Sequence, residues 1–183
     1  MGEHGEEADA MDRCGDQRVV EYQNPWFRVL RDGRFYFVDE PKARNAAVVF
    51  VEFEGQLVLI EQYRVAAGCT LLATPRGYGE AHETSVACAA REAFEETGYR
   101  VPEEALQFLG QVRPNSAILT SLVDVYFGRA TEKVGQFTDT DEVSTVKLLT
   151  YEEFEARIAE GGVTDGITLA GYLLCRLRGG LRQ

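Results

Sequence analysis

The chain has 183 residues, 45% hydrophobic and 27% charged, proportions typical of one globular domain and not of a disordered, collagen-like or fibrous chain. Its formal net charge of −11 would repel a nucleic-acid backbone, so DNA is excluded as an expected partner. An acidic protein that handles phosphates needs divalent cations between the two anions, which directs attention to clusters of carboxylates.

Neither a membrane span nor an export signal is visible in the sequence. No apolar run reaches the roughly 18–20 residues that a bilayer requires, and the N-terminal segment lacks the basic start and apolar stretch of a secretory signal. We therefore expect a cytoplasmic protein that does not bind membranes. The 4 cysteines form no Cys-x-x-Cys pair, which favours structural thiols, with Cys88 and Cys175 on buried helix faces.

The N-terminal third is predicted to be mostly sheet. Residues 1–17 are rich in acids and poor in apolar side chains, which predicts a disordered acidic tail. A single domain is expected over residues 18–183. Its first strands are predicted at residues 19–22, 27–30, 35–38, 46–52 and 57–63, with hairpin turns near Gly33 and Gly55.

The period of the apolar residues then becomes helical. Residues 84–97 are predicted to form a central helix that ends at Gly98, where a left-handed C-cap belongs. Strands are expected again at residues 106–112, 122–129 and 146–149, and further helices at residues 151–159 and 164–178.

The central helix carries three glutamates on one face. Glu92, Glu95 and Glu96 stand at i, i+3 and i+4, so their carboxylates lie close together. Such like charges destabilise an isolated helix by about 0.2–0.5 kcal/mol per pair, which indicates a positive partner. On spacing alone, a solvated acidic face is the alternative; hard oxygen donors in a tight group also suit Mg²⁺ or Mn²⁺.

The segment before this helix favours a metal site over a solvated acidic face. Pro75-Arg76-Gly77-Tyr78-Gly79-Glu80 is a glycine-bearing loop whose backbone can approach an anion or a metal. Loop and helix together spell G-x5-E-x7-R-E-x2-E-E-x-G from Gly77 to Gly98. This pattern resembles the Nudix box, the signature of hydrolases that cleave nucleoside diphosphates linked to another moiety, and every fixed position matches.

The resemblance implies an α/β fold, a Nudix-type α/β/α sandwich with a mixed central β-sheet. It also implies that Glu95 and Glu96 bind divalent metal, Mg²⁺ or Mn²⁺, with Glu92 as a further ligand or a base. A backbone carbonyl at Arg76 or Gly77, with Gly77 preferred, would complete the metal site. Arg91 and Glu83 would form an ion pair that fixes the loop against the helix and aims Glu92.

The resemblance places the catalytic base of several subfamilies in a loop after the central sheet. Residues 138–142 form such a polar loop here, with Glu142 as the first candidate and Asp141 as the second; an ordinary solvated acidic turn is the alternative. The expected mechanism is metal-assisted attack of water on a phosphorus of the diphosphate.

Four short segments outside the box, residues 24–26, 59–64, 160–162 and 164–166, resemble the branch that hydrolyses ADP-ribose and nucleotide sugars. The resemblance implies release of a nucleoside monophosphate and a sugar phosphate. In that branch Arg64 would contact substrate phosphate. Arg76 stands where the branch usually has a small residue; it would add a phosphate contact or pack along the loop. Trp26 would stack on a base or pack beside a strand. The branch tends to form homodimers, so the strands within residues 18–45 are expected to contact a partner copy.

Two other functions remain open on the sequence. A non-catalytic Nudix domain that senses a nucleotide usually carries a DNA-binding module and often lacks a box carboxylate, neither of which is seen here. Hydrolysis at an RNA cap or 5′ end is disfavoured by the acidic charge. The preferred expectation is therefore a Nudix pyrophosphohydrolase acting on phosphorus-containing acid anhydrides.

Overall fold

The computed structural model describes residues 18–138 and 143–178. The strands in these ranges are β1 (Val19–Gln23), β2 (Arg28–Asp32), β3 (Phe35–Asp39), β4 (Ala47–Phe53), β5 (Gln56–Arg64), β6 (Cys69–Ala73), β7 (Arg76–Gly77), β8 (Tyr99–Arg100), β9 (Gln107–Val112), β10 (Val123–Arg129), β11 (Glu132–Lys133) and β12 (Val143–Leu149). The α-helices are α1 (Ser85–Thr97), α2 (Tyr151–Ala159) and α3 (Gly166–Arg178). The predicted tail of residues 1–17 lies outside the described residues.

By its internal contacts the chain forms two compact units. The smaller unit contains the described residues up to Pro41 together with Asn115–Thr120. In it, β1, β2 and β3 form an antiparallel sheet in that order, and the hairpin between β2 and β3 turns at Gly33, whose φ is 58°. These are the three short strands and the turn expected from the sequence. The single-domain interpretation of residues 18–183 stays a prediction.

The larger unit is built on a mixed sheet with the strand order β12-β5-β4-β10-β9. β10 runs parallel to β4, whereas β5 and β12 pair antiparallel, as do β9 and β10. β4 and β5 are joined by the expected tight hairpin, in which Glu54 and Gly55 adopt φ values of 50° and 81°. Both turn residues therefore have the positive φ that a two-residue hairpin favours.

Helices cover both faces of this sheet. Successive residues of β4 alternate between two cores, with Val49 in the cluster that includes α1 and Phe50 in the cluster that includes α2 and α3. Phe154 of α2 and Tyr172 of α3 stack edge to face with ring centroids 4.9 Å apart in the second cluster. The structure therefore has the expected α/β/α arrangement with a mixed sheet, and Cys88 and Cys175 are buried as predicted.

The two central strands separate at one end, which opens room for the loop that precedes α1. β4 pairs with β5 only from Val51 onward, while Ala47 at its start pairs with Gly77 of β7. Val49 donates its amide to the Pro75 carbonyl at 3.0 Å and accepts from the Thr74 hydroxyl at 2.5 Å. The loop is thus fixed to the middle of the sheet.

α1 forms where the sequence predicts it. Thr84 caps its start, with its side chain accepting from the Ala87 amide at 3.3 Å. Gly98 ends the helix with φ 75°, and its amide donates to the Phe94 carbonyl at 2.8 Å.

Among the described residues, no helix is long and apolar enough to cross a bilayer.

Candidate active site

Arg91 of α1 joins the helix to the preceding loop through a two-pronged ion pair with Glu83. Its Nε lies 3.0 Å from Glu83 Oε1 and its Nη2 lies 3.0 Å from Oε2. Nη2 also donates to the Tyr78 carbonyl at 3.0 Å, and the Glu80 amide donates to Glu83 Oε2 at 2.8 Å. The hydrogen bond from Arg91 lowers the pKa of Glu83, against the effect of its burial. The predicted ion pair is therefore present, and it holds the loop against the helix.

The remaining nitrogen of Arg91 supplies positive charge to two of the three glutamates, Glu92 and Glu95. Nη1 lies 2.7 Å from Glu92 Oε1 and 2.9 Å from Glu95 Oε2, so the two carboxylates converge on one atom. The exposed fractions of the Glu92 and Glu95 side chains are 11% and 42%. A solvated acidic face does not describe this arrangement, because Glu92 is nearly buried and both carboxylates share one guanidinium.

Glu96 is held by the loop itself. Its Oε2 accepts the Arg76 amide at 2.9 Å, and the residue is only 1% exposed. Burial of a carboxylate is costly unless it is hydrogen-bonded or paired with a cation. The glutamate and the backbone of the glycine-bearing loop are therefore in direct contact.

Gly77 brings the loop close to Glu92 and presents its carbonyl to α1. The Gly77 carbonyl accepts from the Cys88 thiol at 3.6 Å, and burial raises the pKa of Cys88 to about 12, so the thiol keeps its proton. A Cβ on Gly77 would overlap the Glu92 carboxylate, at 1.9 Å from Oε1. The Glu92 carboxylate therefore lies against the Gly77 backbone, and the adjacent Arg76 amide holds Glu96, so carboxylate and carbonyl oxygens occur around this loop.

These donors suit a hard divalent cation, which prefers carboxylate and carbonyl oxygens. Within residues 18–138 and 143–178, no group of three or more His, Cys, Asp or Glu side chains is arranged as a metal site. Glu92 and Glu95 instead contact Arg91, and Glu96 contacts the Arg76 amide. The chemistry of the donor set fits a metal, and their assignment as ligands stays a prediction.

The two arginines predicted to bind substrate lie in different settings. Arg64 is the last residue of β5, opposite Cys69 of β6, and is half-buried. Arg76 directs its guanidinium to Asp165, with 2.6 Å between Nη1 and Oδ1. The Arg76 side chain is thus paired with the residue before α3, and its two expected roles, a phosphate contact and packing along the loop, stay predictions.

The predicted base, Glu142, and its alternative Asp141 lie outside the described residues. The chain on either side is described. Thr138 donates its amide to the Glu95 carbonyl at 2.8 Å, and Val143 pairs with Gln62 of β5. Thr138, the last described residue before the two acids, is therefore held on the backbone of the last turn of α1.

Sequence reasoning missed Asp165 and Thr168 at the start of α3. Asp165 Oδ1 accepts from the Thr168 amide at 2.8 Å and from its hydroxyl at 2.7 Å. Because Arg76 binds the same oxygen, the start of α3 contacts the glycine-bearing loop, which is called the box loop below. Asp is a common residue at a helix N-cap, but no local signal points to Arg76, which is 89 positions away.

A family model described as the NUDIX domain matches residues 41–165, a range that contains the glycine-bearing loop, α1 and Asp165. The chain is 32% identical to GDP-mannose pyrophosphatase of Yersinia pestis over 63% of this chain and 62% of that protein. It is 28% identical to CMP-5'-(N-acetyl-N-hydroxy-3-aminopropyl)phosphonate hydrolase of Streptomyces rubellomurinus, over 78% of this chain and 68% of that protein. A methanol dehydrogenase activator of Bacillus methanolicus is 27% identical, over 75% and 74% of the two chains. The chain belongs to the NUDIX family and is a Nudix pyrophosphohydrolase.

Proposed function

We propose that this enzyme hydrolyses the diphosphate bond of a nucleoside diphosphate derivative, ADP-ribose or a nucleotide sugar, and releases a nucleoside monophosphate and a sugar phosphate. The observation that carries the proposal is the convergence of Glu92 and Glu95 on Arg91 beside a loop that holds Glu96. The similarity to a GDP-mannose pyrophosphatase supports a nucleotide-sugar substrate. The match to the ADP-ribose branch in the flanking sequence supports the same class.

Glu92, Glu95, Glu96 and the Gly77 carbonyl would hold a divalent cation, Mg²⁺ or Mn²⁺. When bound, such a cation neutralises phosphate oxygens and lowers the pKa of a coordinated water. The net charge of −11 makes this compensation necessary, because an acidic protein otherwise repels a diphosphate.

Arg91 has two tasks in this proposal. Nε and Nη2 keep the loop in place through Glu83 and the Tyr78 carbonyl. Nη1 balances Glu92 and Glu95 and would give up these contacts when a cation takes its place. Because the first set of contacts does not involve the carboxylate ligands, the loop would stay fixed while the ligands change partner.

Glu142 is proposed as the base that accepts the proton of the attacking water. Asp141 is the alternative in the same segment, and Glu92 is the alternative within the Nudix box. The anchoring of Thr138 on the Glu95 carbonyl supports a base from this segment. Arg64 is proposed to bind a substrate phosphate, since a guanidinium offers a fork of donors that matches phosphate oxygens.

A homodimer is proposed through the strands within residues 18–45. Several large apolar side chains of this segment are strongly exposed, and they are Val19, Val20, Tyr22, Trp26, Phe35 and Tyr36. Exposed apolar groups that lie together commonly mark protein interfaces. Light scattering of the purified protein tests this part, and a monomer at micromolar concentration would overturn it.

A substrate panel tests the proposed reaction. The purified enzyme is incubated with Mg²⁺ or Mn²⁺ and with ADP-ribose, GDP-mannose, other nucleotide sugars, nucleoside triphosphates or capped RNA, and the released nucleoside monophosphate is quantified. We expect hydrolysis of ADP-ribose or a nucleotide sugar with the highest kcat/KM, and none with EDTA. Preference for triphosphates or capped RNA, or activity that survives EDTA, would overturn the proposal.

A further inference from the structure

The side chain of Arg76 is committed to a buried ion pair. Nη1 of Arg76 lies 2.6 Å from Asp165 Oδ1, and the two side chains are 15% and 10% exposed. Burial raises the pKa of Asp165, but the hydrogen bond and charge of Arg76, with two hydrogen bonds from Thr168, outweigh burial and lower it. Asp165 is therefore ionised at neutral pH and opposite a permanent cation.

The same carboxylate organises the first turn of α3. Asp165 Oδ1 accepts from both the amide and the hydroxyl of Thr168, and the Thr168 hydroxyl accepts the Thr74 amide at 3.2 Å. Thr168 is fully buried. The start of α3 thus holds the box loop at two points, Thr74 and Arg76, on either side of Pro75.

Arg76 also contacts α1 through its backbone. Its amide donates to Glu96 Oε2 at 2.9 Å, and that carboxylate is almost completely buried. The direction of this N–H is set by the backbone between Thr74 and Gly77. Because the Arg76 side chain and the Thr74 amide are both held by α3, the position of the Glu96 carboxylate depends on the start of that helix.

We propose that Arg76 and Asp165 are a positioning pair that orients Glu96, and that Arg76 does not bind substrate phosphate. The inference rests on the proposed function, in which Glu96 is a metal ligand. It assigns a positioning role to Arg76, at a position where the ADP-ribose and nucleotide-sugar branch usually has a small residue. Groups that orient metal ligands typically affect metal affinity about 10–100-fold.

Two single variants and their combination test the pair. Arg76→Met keeps an unbranched apolar stem and removes the guanidinium with its charge. Asp165→Asn removes the charge but keeps an oxygen that caps helices as well as aspartate does. Arg76→Lys is the conservative variant. Arg176→Gln is the matched control, since it breaks another ion pair of α3, with Glu155 at 3.1 Å, away from the loop.

Mn²⁺ affinity without substrate, kcat and KM are measured for each folded variant. We expect Arg76→Met and Asp165→Asn to weaken Mn²⁺ binding about 10-fold or more and to lower kcat more than they raise KM. The double variant should bind Mn²⁺ no more weakly than the more impaired single variant, because all three variants lose the same ion pair. Arg76→Lys should recover part of the loss, and Arg176→Gln should behave as wild type.

Amide hydrogen exchange of Arg76 gives a readout that needs neither metal nor activity. The wild-type amide should be protected by Glu96, and exchange should be faster in Asp165→Asn. Unchanged protection and unchanged Mn²⁺ affinity would overturn the positioning pair. An effect of Arg76→Met on KM alone would also overturn it, because that result indicates that Arg76 binds substrate phosphate. A wild type that neither binds Mn²⁺ nor hydrolyses any substrate refutes the proposed function instead, while the exchange result still decides whether the pair orients Glu96.

Discussion

The Glu92 carboxylate occupies the space that a side chain on Gly77 would need. A Cβ at Gly77 would lie 1.9 Å from Oε1 and 2.7 Å from Oε2 of Glu92. The backbone of Gly77 is outside the left-handed region, so the requirement for glycine comes from this close approach and not from backbone conformation. The first glycine of the box pattern is therefore the residue that lets a buried glutamate reach the loop.

Gly77→Ala should fold and lose activity. The Glu92 carboxylate is the end of a flexible side chain and can move aside, but then it leaves its contact with Arg91. Because a displacement of about 1 Å in a catalytic group can cost ~100-fold in rate, we expect kcat/KM to fall by about that factor. Steady-state kinetics measure the fall, and circular dichroism verifies the fold.

Gly135→Ala is the matched control for this substitution. A Cβ at Gly135 meets nothing within 4 Å, so its kinetics should equal those of wild type. Full activity of Gly77→Ala would show that the reaction does not require the Glu92 carboxylate at its observed position.

Glu83→Gln should lower stability in a pH-dependent manner. Arg91 lowers the pKa of Glu83 below its ordinary value of 4.5, so the ionised form is favoured in the folded state. The contribution of this charge is complete above pH 4.5 and is lost as the pH falls through the lower, folded-state pKa. We expect a loss of about 1.5–3 kcal/mol in the free energy of unfolding at pH 7, typical of a hydrogen bond to a charged group.

Urea denaturation of wild type and Glu83→Gln at a series of pH values measures this effect. The difference between the two proteins should shrink toward acidic pH, where Glu83 is protonated and resembles glutamine. A difference that stays constant down to pH 3 would contradict the assigned charge interaction.

Glu142→Gln should slow turnover and leave substrate affinity largely intact. A positioned general base contributes about 10²–10⁴-fold, so we expect kcat to fall within that range with KM nearly unchanged. Asp141→Asn is the comparison, because it removes the neighbouring acid. An unchanged rate for Glu142→Gln would assign the base to Asp141 if Asp141→Asn is slow, and to Glu92 if it is not.

Local signals explain why the helices were predictable. α1 has a threonine cap at one end and a left-handed glycine at the other, and α2 begins with a complete capping box formed by Thr150 and Glu153. Each signal lies within a few residues of the boundary that it sets. The box glutamates share one face of α1 for the same local reason.

Elements that depend on distant partners were missed or misplaced. β7 was not predicted: it consists of Arg76 and Gly77 alone and is a strand only because it pairs with the start of β4. β12 begins at Val143 and not at residue 146, because Val143 pairs with Gln62 of β5. Such pairings bring together residues far apart in the chain and leave little local pattern.

The candidate site divides in the same way. The contact between Arg91 and Glu83 was expected from the resemblance to the Nudix box, whereas the pair Arg91–Glu95, four residues apart on α1, follows from helix spacing. The contact between Arg76 and Asp165 depends on how α3 packs beside the loop, so the sequence left Arg76 with two interpretations.

The central claim is that Glu96, with Glu92 and Glu95, holds a divalent cation that hydrolysis requires. Titration of wild type and Glu96→Gln with Mn²⁺, followed by electron paramagnetic resonance and paired with nucleotide-sugar hydrolysis in the same samples, tests it most directly. Since loss of a ligand should exceed the ~10–100-fold effect of losing a supporting residue, we predict that Mn²⁺ affinity falls more than about 100-fold and that hydrolysis is lost in parallel. Equal Mn²⁺ affinity and equal hydrolysis in the two proteins would contradict the claim.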